Sequence, residues 1–351
     1  MKKKRIFKNI LVVRTDRIGD VVLTTPSLQA LRESFPQAKI SVLVTPQTKP
    51  LVEGNPNIDE VLVDDREGVN KGFLGFWRLV FQMMSKRYDL AVIYHTKNRM
   101  NLLCWHAMIP YRIGFNKENK KFSFLLTHPV KDIRHLGEKR EIEYCLDLVR
   151  SLNDQWNSQG KFFIPVKRED SVWAEEALSG YFEGDGKTLA VHLGASDKSK
   201  MWPVDKFIVL IRELQRKYKL RVVLVGGENL SSLGEKLVSS VENRVLNLIG
   251  RTTVGQMVAV LKCCDVLVSN DSGPVHVADA VGTPVVSIFT RNQPGINPER
   301  WGPVGKNSQI IAIPQDLDPD FKKSGAATSE YLQIIETKEV FAVVDALLKL
   351  C

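Results

Sequence analysis

The sequence predicts an α/β protein made of two doubly wound domains. Three observations predict it. Short Val/Ile/Leu-rich runs recur with helical patterns between them, the series starts afresh after a polar stretch near residue 155, and the chemistry-bearing motifs follow the runs rather than interrupt them. A chain of 351 residues is long enough for two such domains.

In the first half, strands are expected at residues 9–14, 39–44, 60–64, 88–94 and 111–115. These runs lack strict alternation, which suits a parallel sheet covered on both faces. Helical patterns occupy 24–35, 48–53, 71–86 and 141–152, and the polar residues 153–160 read as a linker. The second series places strands at 188–193, 221–225, 245–249, 266–269 and 284–289, with helices at 204–218, 231–241, 254–263 and 275–281. An amphipathic helix is expected at 336–350. Domains at 1–160 and 161–328, followed by a C-terminal segment 329–351, describe this organisation.

Hydrophobic residues are 44% of the chain and charged ones 25%, the balance of a soluble globular protein. No apolar run reaches membrane-spanning length. The N-terminal MKKKRIF lacks the apolar segment of a signal peptide, so a cytoplasmic protein is expected. Five cysteines without a CxxC pair fit neither a disulfide framework nor a zinc site, and Cys263 and Cys264 read as buried small side chains. The net charge of +9 is unevenly placed: residues 1–150 carry 26 Lys and Arg against 16 Asp and Glu (+10), the remainder 23 against 24 (−1). A basic half points to a polyanionic partner such as nucleic acid, an anionic membrane or a phosphorylated substrate, or serves solubility alone.

Four motifs follow strands. The first, Arg14-Thr15-Asp16-Arg17-Ile18-Gly19-Asp20, has a glycine for close backbone approach and an acid near a helix start. On spacing alone Asp20 reads first as a helix cap or first-turn acid. The second runs from His192 through Gly194, Ser196 and Lys200 to Trp202-Pro203; it is either an ordinary polar loop or one that brings backbone N–H groups and an ammonium to a phosphate. In the third, Asn270-Asp271-Ser272-Gly273-Pro274-Val275-His276, glycine and hydroxyl suit an anion at a helix N-terminus, and His276 falls in the first turn. The fourth, Gly226-Gly227-Glu228, offers an acid for ribose hydroxyls, a weak signal alone. Neither GxGxxG after a first strand nor a Walker motif is present, which argues against NAD, FAD and P-loop chemistry. Asp316-Leu317-Asp318-Pro319-Asp320 contains DxD strings but reads as a solvated loop, and no His/Cys cluster has metal-ligand spacing.

The stretches ILVVRTDRIGDVVLTTPSLQAL, YRIGF, HLGASDKSKMWP, LVGGEN and VSNDSGPVHVADAVGTPVVSIF together resemble the bacterial lipopolysaccharide heptosyltransferases of glycosyltransferase family 9, over nearly the whole chain. The resemblance implies a GT-B fold, two Rossmann-like domains facing across a cleft, with the C-terminal helix returning to the N-terminal domain. It also implies an inverting, metal-independent transfer that needs no cofactor, from ADP-L-glycero-D-manno-heptose to the phosphorylated lipid A-core acceptor. Carried over by motif, Asp20 is the general base; Ser196, Lys200, Ser272, Gly273 and His276 hold donor phosphate; Asp271 lies near the donor sugar; Glu228 and Thr252 meet the nucleoside. Arg14, Arg17 and Gly19 become candidates for acceptor contact, while Asp16 and Arg17 are charged where several members are small and polar, which leaves Asp16 without a role. The basic half and MKKKR then suit a peripheral position on the anionic cytoplasmic face of the inner membrane. Other readings are a GT-B enzyme with another nucleotide sugar, a nucleotide-sugar epimerase and a non-catalytic nucleotide-sugar-binding protein. Nucleic-acid binding lacks any supporting motif.

Overall fold

A computed structural model describes residues 6–116, 121–153, 156, 158–241, 244–317 and 331–350. MKKKR, Asp318 and Asp320, singled out above, lie outside the described residues. The chain divides into two compact units, Met1–His135 with Lys139–Pro165, and Leu136–Glu138 with Val166–Cys351.

The first unit runs β1 (Asn9–Val13), α1 (Ile18–Ser34), β2 (Lys39–Val44), β3 (Glu60–Val63), α2 (Gly72–Ser85), β4 (Leu90–Ile93), α3 (Asn98–His106), β5 (Tyr111–Asn116), β6 (His128–Lys131) and α4 (Glu141–Arg150). Its sheet is parallel throughout in the order β3-β2-β1-β4-β5-β6. Ile10, Leu11, Val12 and Val13 are all fully buried, as a central strand covered on both faces requires.

The second unit runs α5 (Arg168–Tyr181), β7 (Lys187–His192), α6 (Val204–Lys217), β8 (Leu220–Leu224), α7 (Ser231–Ser240), β9 (Val245–Asn247), α8 (Val254–Lys262), β10 (Val266–Asn270), α9 (Gly273–Val281), β11 (Val285–Phe289), α10 (Pro298–Trp301), β12 (Gln309–Ala312) and α11 (Thr337–Leu350). Its sheet, β12-β11-β10-β7-β8-β9, is again parallel and repeats the first topology strand for strand. In both units the order reverses beside the first strand, between β1 and β4 and between β7 and β10. In an open parallel sheet ligands bind beyond the strand ends at that reversal.

Several expectations need correction. Where the resemblance implies a helix returning to the N-terminal domain, α11 lays Val340, Val344, Leu347 and Leu348 into the core of the second unit, packed on α6. Its apolar stripe finds the nearest uncovered face of its own sheet. The boundary falls after residue 165 rather than 160, because the segment after the linker stays tied to the first unit. There Trp156 Nε1 donates to Glu33 Oε2 at 2.7 Å and the Lys161 N–H to Gln29 Oε1 at 2.9 Å. The pattern at 48–53 is only a 3₁₀ turn, Lys49–Leu51. Cys104, Cys145 and Cys264 are buried, but Cys263, at the end of α8, is exposed.

Candidate functional site

Each unit gathers polar side chains at its own reversal point. In the first, β1 ends at Val13 and the next side chain, Arg14, turns inward and is fully buried. A guanidinium there must be compensated. Its Nη2 lies 2.5 Å from Asp20 Oδ1 and 3.4 Å from Glu141 Oε1, and its Nε faces Asp16 Oδ1 at 3.0 Å, off the hydrogen-bonding line. Glu141, first residue of α4 and itself buried, also faces Arg134 at 3.6 Å. Arg134 stacks over Phe115, 4.2 Å to the ring centroid, and donates twice to Asp132 at 2.8 Å. Burial pushes the Asp16 carboxyl up to about 7, against the pull of Arg14 and with the Asp20 charge adding to the rise.

α1 begins at Ile18, six residues before its amphipathic pattern, so Gly19 and Asp20 lie inside its first turn. Gly19 is therefore ordinary helical backbone. Arg17 takes the N-cap position without a side-chain cap bond, so no local side chain competes for this helix start. Asp20 keeps part of its surface in solvent while Arg14 fixes one carboxylate oxygen. Arg14, expected to contact an acceptor, is buried among three carboxylates and bonds Asp20. Arg17 is exposed and stays available. Two cations the sequence reading passed over join it at neighbouring strand ends. Arg66, after β3, bonds Asp64 at 2.8 Å and reaches Thr15 Oγ1 at 3.4 Å; Lys97, after β4, is exposed.

In the second unit β7 ends at His192, buried between two serines: Ser272 Oγ lies 3.0 Å and Ser269 Oγ 3.3 Å from its Nδ1. Burial pushes this imidazole down to about 4, so it is neutral at pH 7. Asn270, at the end of β10, accepts from the Trp202 N–H at 2.8 Å and donates to the Leu193 carbonyl at 2.8 Å. Trp202 is fully buried, edge-on to Phe207 at 4.8 Å, and its indole N–H donates to the Ile335 carbonyl at 3.0 Å. The preceding turn, Lys198–Lys200, is thereby fixed, and Lys200 Nζ meets Asp271 Oδ2 at 2.5 Å.

α9 starts at Gly273 with Ser272 at its N-cap, yet the Ser272 hydroxyl makes no cap bond because it faces His192 and Ser269. His276 is buried in the first turn. A helix start free of a side-chain cap, with an ammonium beside it, is suited to an anion. The motifs quoted from the sequence contain His192, Ser269 and Asn270 without giving them a role, and Arg291 lies outside those motifs. Arg291, just after β11, donates to Ser199 Oγ at 3.1 Å and braces the same turn; its place after a strand was the available signal. Ser196 is exposed ahead of that turn.

The structure also brings the third group together. The Gly250 N–H donates to the Gly226 carbonyl at 2.9 Å, and Gly250, at φ +70°, has Glu228 Cα 3.1 Å from where a Cβ would sit. The loop carrying exposed Glu228 and the one leading to half-exposed Thr252 are thus in backbone contact, and a side chain at 250 would part them. Among the described residues, no group of three or more His, Cys, Asp and Glu is arranged to hold a metal ion, and no helix is long and apolar enough to cross a membrane.

Comparison with known proteins agrees with this architecture. The chain is 23% identical to a glycosyltransferase family 9 protein of Veillonella parvula, TM-score 0.87 over 98% of both chains. It is 21% identical to the ADP-heptose LPS heptosyltransferase II of Escherichia coli, TM-score 0.79 over 97% of this chain and 99% of that one. Both share the two-unit GT-B fold described above. In sequence it is 25% identical to lipopolysaccharide heptosyltransferase 2 of Salmonella typhimurium, covering 87% of this chain and 88% of the relative. The family model for glycosyltransferase family 9 (heptosyltransferase) matches residues 76–329. With that match across most of its length, the chain belongs to glycosyltransferase family 9 and is a glycosyltransferase enzyme.

Proposed function

We propose that this enzyme moves heptose from ADP-heptose to the phosphorylated inner core of lipopolysaccharide, with inversion at the anomeric carbon. The observation that carries the reading is a division of labour. The first unit offers a partly exposed carboxylate, Asp20, on the first turn of α1, held by a buried guanidinium; the second offers an ammonium and an uncapped helix start. Inverting transfer asks for these two things. A base accepts the proton of the acceptor hydroxyl as its oxygen attacks C1, and cationic or N–H groups stabilise the departing nucleoside diphosphate.

Asp20 acts as that base. Arg14 holds the carboxylate in one orientation. Lys200, the Gly273 N–H and the positive end of α9 take up leaving-group charge, so the bond to the diphosphate can break without a metal. Asp271 holds the Lys200 ammonium in place and lies near the sugar. Glu228 and Thr252 meet the nucleoside, and Ser196 and His276 complete the phosphate contacts. On the acceptor side Arg17, Arg66 and Lys97 face phosphate and carboxylate groups, which accounts for part of the positive charge of the first unit. The enzyme works peripherally at the cytoplasmic face of the inner membrane, where its acceptor is anchored.

A donor screen tests the reading. Purified enzyme with a heptosyl-acceptor core glycan should release ADP from ADP-heptose. It should release no nucleotide from UDP- or GDP-sugars. Turnover confined to UDP-sugars would replace the donor, and ADP release without heptose transfer to the glycan would overturn the acceptor.

A further inference from the structure

Away from the strand ends, the first unit presents an apolar surface that its own core does not use. α2 buries Gly75, Leu79, Val80 and Met83. Its opposite side carries Phe73, Leu74 and Phe81, of which Leu74 is 82% exposed and Phe73 75%, with Trp77 between them, partly buried against the core. Phe73, Trp77 and Phe81 recur every fourth residue, and their rings follow one another at 6.2 and 6.0 Å. Trp77 meets the His106 ring at 4.8 Å, and His106 meets Trp105 at 4.5 Å, so the aromatic surface continues without a break onto α3. Beyond α3 the chain turns at Met108, which adopts φ 57° and is 74% exposed. A left-handed backbone is costly for a residue with a side chain, and here it presents a long apolar one to solvent. Trp105, His106, Met108 and Arg112 line a pocket of about 420 Å³ beside it.

The charge around this surface is one-sided. Residues 69–116 contain seven Lys and Arg against a single acid, Asp89; of the seven, Lys86 pairs with Glu60 and Arg99 with Asp64. Asp89 is turned away to the start of β1, where it accepts from the Lys8 and Asn9 N–H groups. Lys71, Arg78, Arg87 and Lys97 are exposed.

We propose that the exposed faces of α2 and α3 with the Met108 turn form a docking surface for an anionic lipid bilayer. The inference rests on the peripheral membrane position proposed above and assigns the surface that makes it, and it does not depend on which sugar is moved. Aromatic and long apolar side chains ringed by lysine and arginine are the composition that settles at the headgroup and acyl boundary. The surrounding cations are drawn to acidic headgroups. A second copy of this chain is a poor occupant, because two faces of the same positive sign repel. The aromatic rings enter the boundary while Lys71 and Arg78 remain at the headgroups.

The test is sedimentation of the full chain with vesicles of phosphatidylcholine alone and of phosphatidylcholine with 30% phosphatidylglycerol. The anionic vesicles should bind at least tenfold more tightly, and added salt should weaken the binding. The triple variant Phe73→Ser/Leu74→Ser/Phe81→Ser and, separately, Lys71→Glu/Arg78→Glu should each lose at least tenfold. Vesicles with brominated acyl chains should quench the tryptophan emission of the wild type, and Trp77→Phe/Trp105→Phe should abolish most of that quenching. Transfer to a water-soluble core glycan should be unchanged in all three variants. Failure of that transfer in the wild type would count against the heptosyl reading and leave the vesicle result standing. Wild-type-like vesicle binding by the triple variant, absence of quenching, or a monomer–dimer shift in the variants without loss of vesicle binding would overturn the docking surface.

Discussion

At the end of β1 the first unit packs Arg14 among Asp16, Asp20 and Glu141, with Arg134 behind; at the end of β7 the second unit packs the neutral His192 between Ser269 and Ser272. The sheets have the same strand order, and both clusters sit at the same reversal point. The topology supplies a place and the residues after the strand supply the chemistry. On the proposed reading the first unit needs a negative group poised to take a proton, and a negative group at a buried strand end must be balanced, so charge accumulates there in both signs. The second unit needs room for an incoming anion. The groups packed at the end of β7, His192, Ser269 and Ser272, are neutral, and the positive charge nearby sits on Lys200, Arg291 and a helix start.

The sharpest way to break this contrast is to remove one functional group from each side. Asp20→Ala should lower turnover by about 10²–10⁴-fold, the span of a lost general base, while ADP affinity by calorimetry stays within a few-fold. Lys200→Ala should lower turnover and weaken ADP binding together. If Asp20→Ala turns over normally, the base lies elsewhere and the charged cluster is structural only.

The charged cluster should also cost more to disturb. Arg14→Met leaves three carboxylates without their shared partner, and removing one member of a buried ionic group costs about 3–5 kcal/mol. Urea unfolding would read this as a lower midpoint with an unchanged slope. A loss under 1 kcal/mol would mean that water enters the cluster and Arg14 is not a buried ion.

Much of this fold is written in the sequence, and what escaped has physical causes. The central strands show because burial on both faces leaves only Val, Ile and Leu, as in residues 10–13 and 266–268. β6, His128–Lys131, escaped because an edge strand half open to solvent carries no apolar run and tolerates Pro129. α5 escaped because only Ala174 in it is buried. The first turn and a half of α1 escaped because Val21, Val22, Leu23, Thr24 and Thr25 are all buried, so the helix has no polar face there to set a period. At the site, motif position pointed to Asp20, Lys200, Asp271 and Ser272. Nothing local could pair Arg14 with Glu141, 127 residues away, or predict that Ser272 would turn from its helix to His192. These are tertiary choices, and one of them buries the Arg14 guanidinium that the sequence offers as an acceptor contact.

The two regions should respond to pH in opposite senses. Asp16 has its carboxyl raised from 3.8 to about 7 by burial. The folded state then holds a proton the unfolded state has released, so Asp16 supports the fold fully below pH 3.8, and this support is lost as pH rises through 7. His192 is lowered from 6.5 to about 4. Its support is complete above pH 6.5 and lost as pH falls toward 4, on the order of 3 kcal/mol in all. Against the wild type, Asp16→Asn should therefore gain relative stability between pH 4 and 7, and His192→Gln should lose it between pH 4 and 6.5. Urea midpoints at four or five pH values would show both trends, and parallel profiles for the two variants would remove the contrast.

The smallest effect separates a helix start that stabilises from one left open. α8 begins with a reciprocal capping box: Thr253 Oγ1 accepts from the Gln256 N–H at 3.1 Å and the Gln256 side chain accepts from the Thr253 N–H at 2.9 Å. Thr253→Ala should cost about 1 kcal/mol of stability and leave turnover alone. Ser272 occupies the same N-cap position on α9 but caps nothing, so Ser272→Ala removes no cap bond. Its hydroxyl is instead one of two facing His192, and Ser269 remains after the substitution. The stability loss should therefore stay under about 1 kcal/mol, while the donor-phosphate role proposed for Ser272 by motif predicts that KM for the nucleotide sugar rises several-fold. Equal stability losses and equal KM values for the two variants would mean that the start of α9 is an ordinary helix end. The inverse pattern, stability lost at 253 and donor affinity lost at 272, is what an anion-receiving helix start requires.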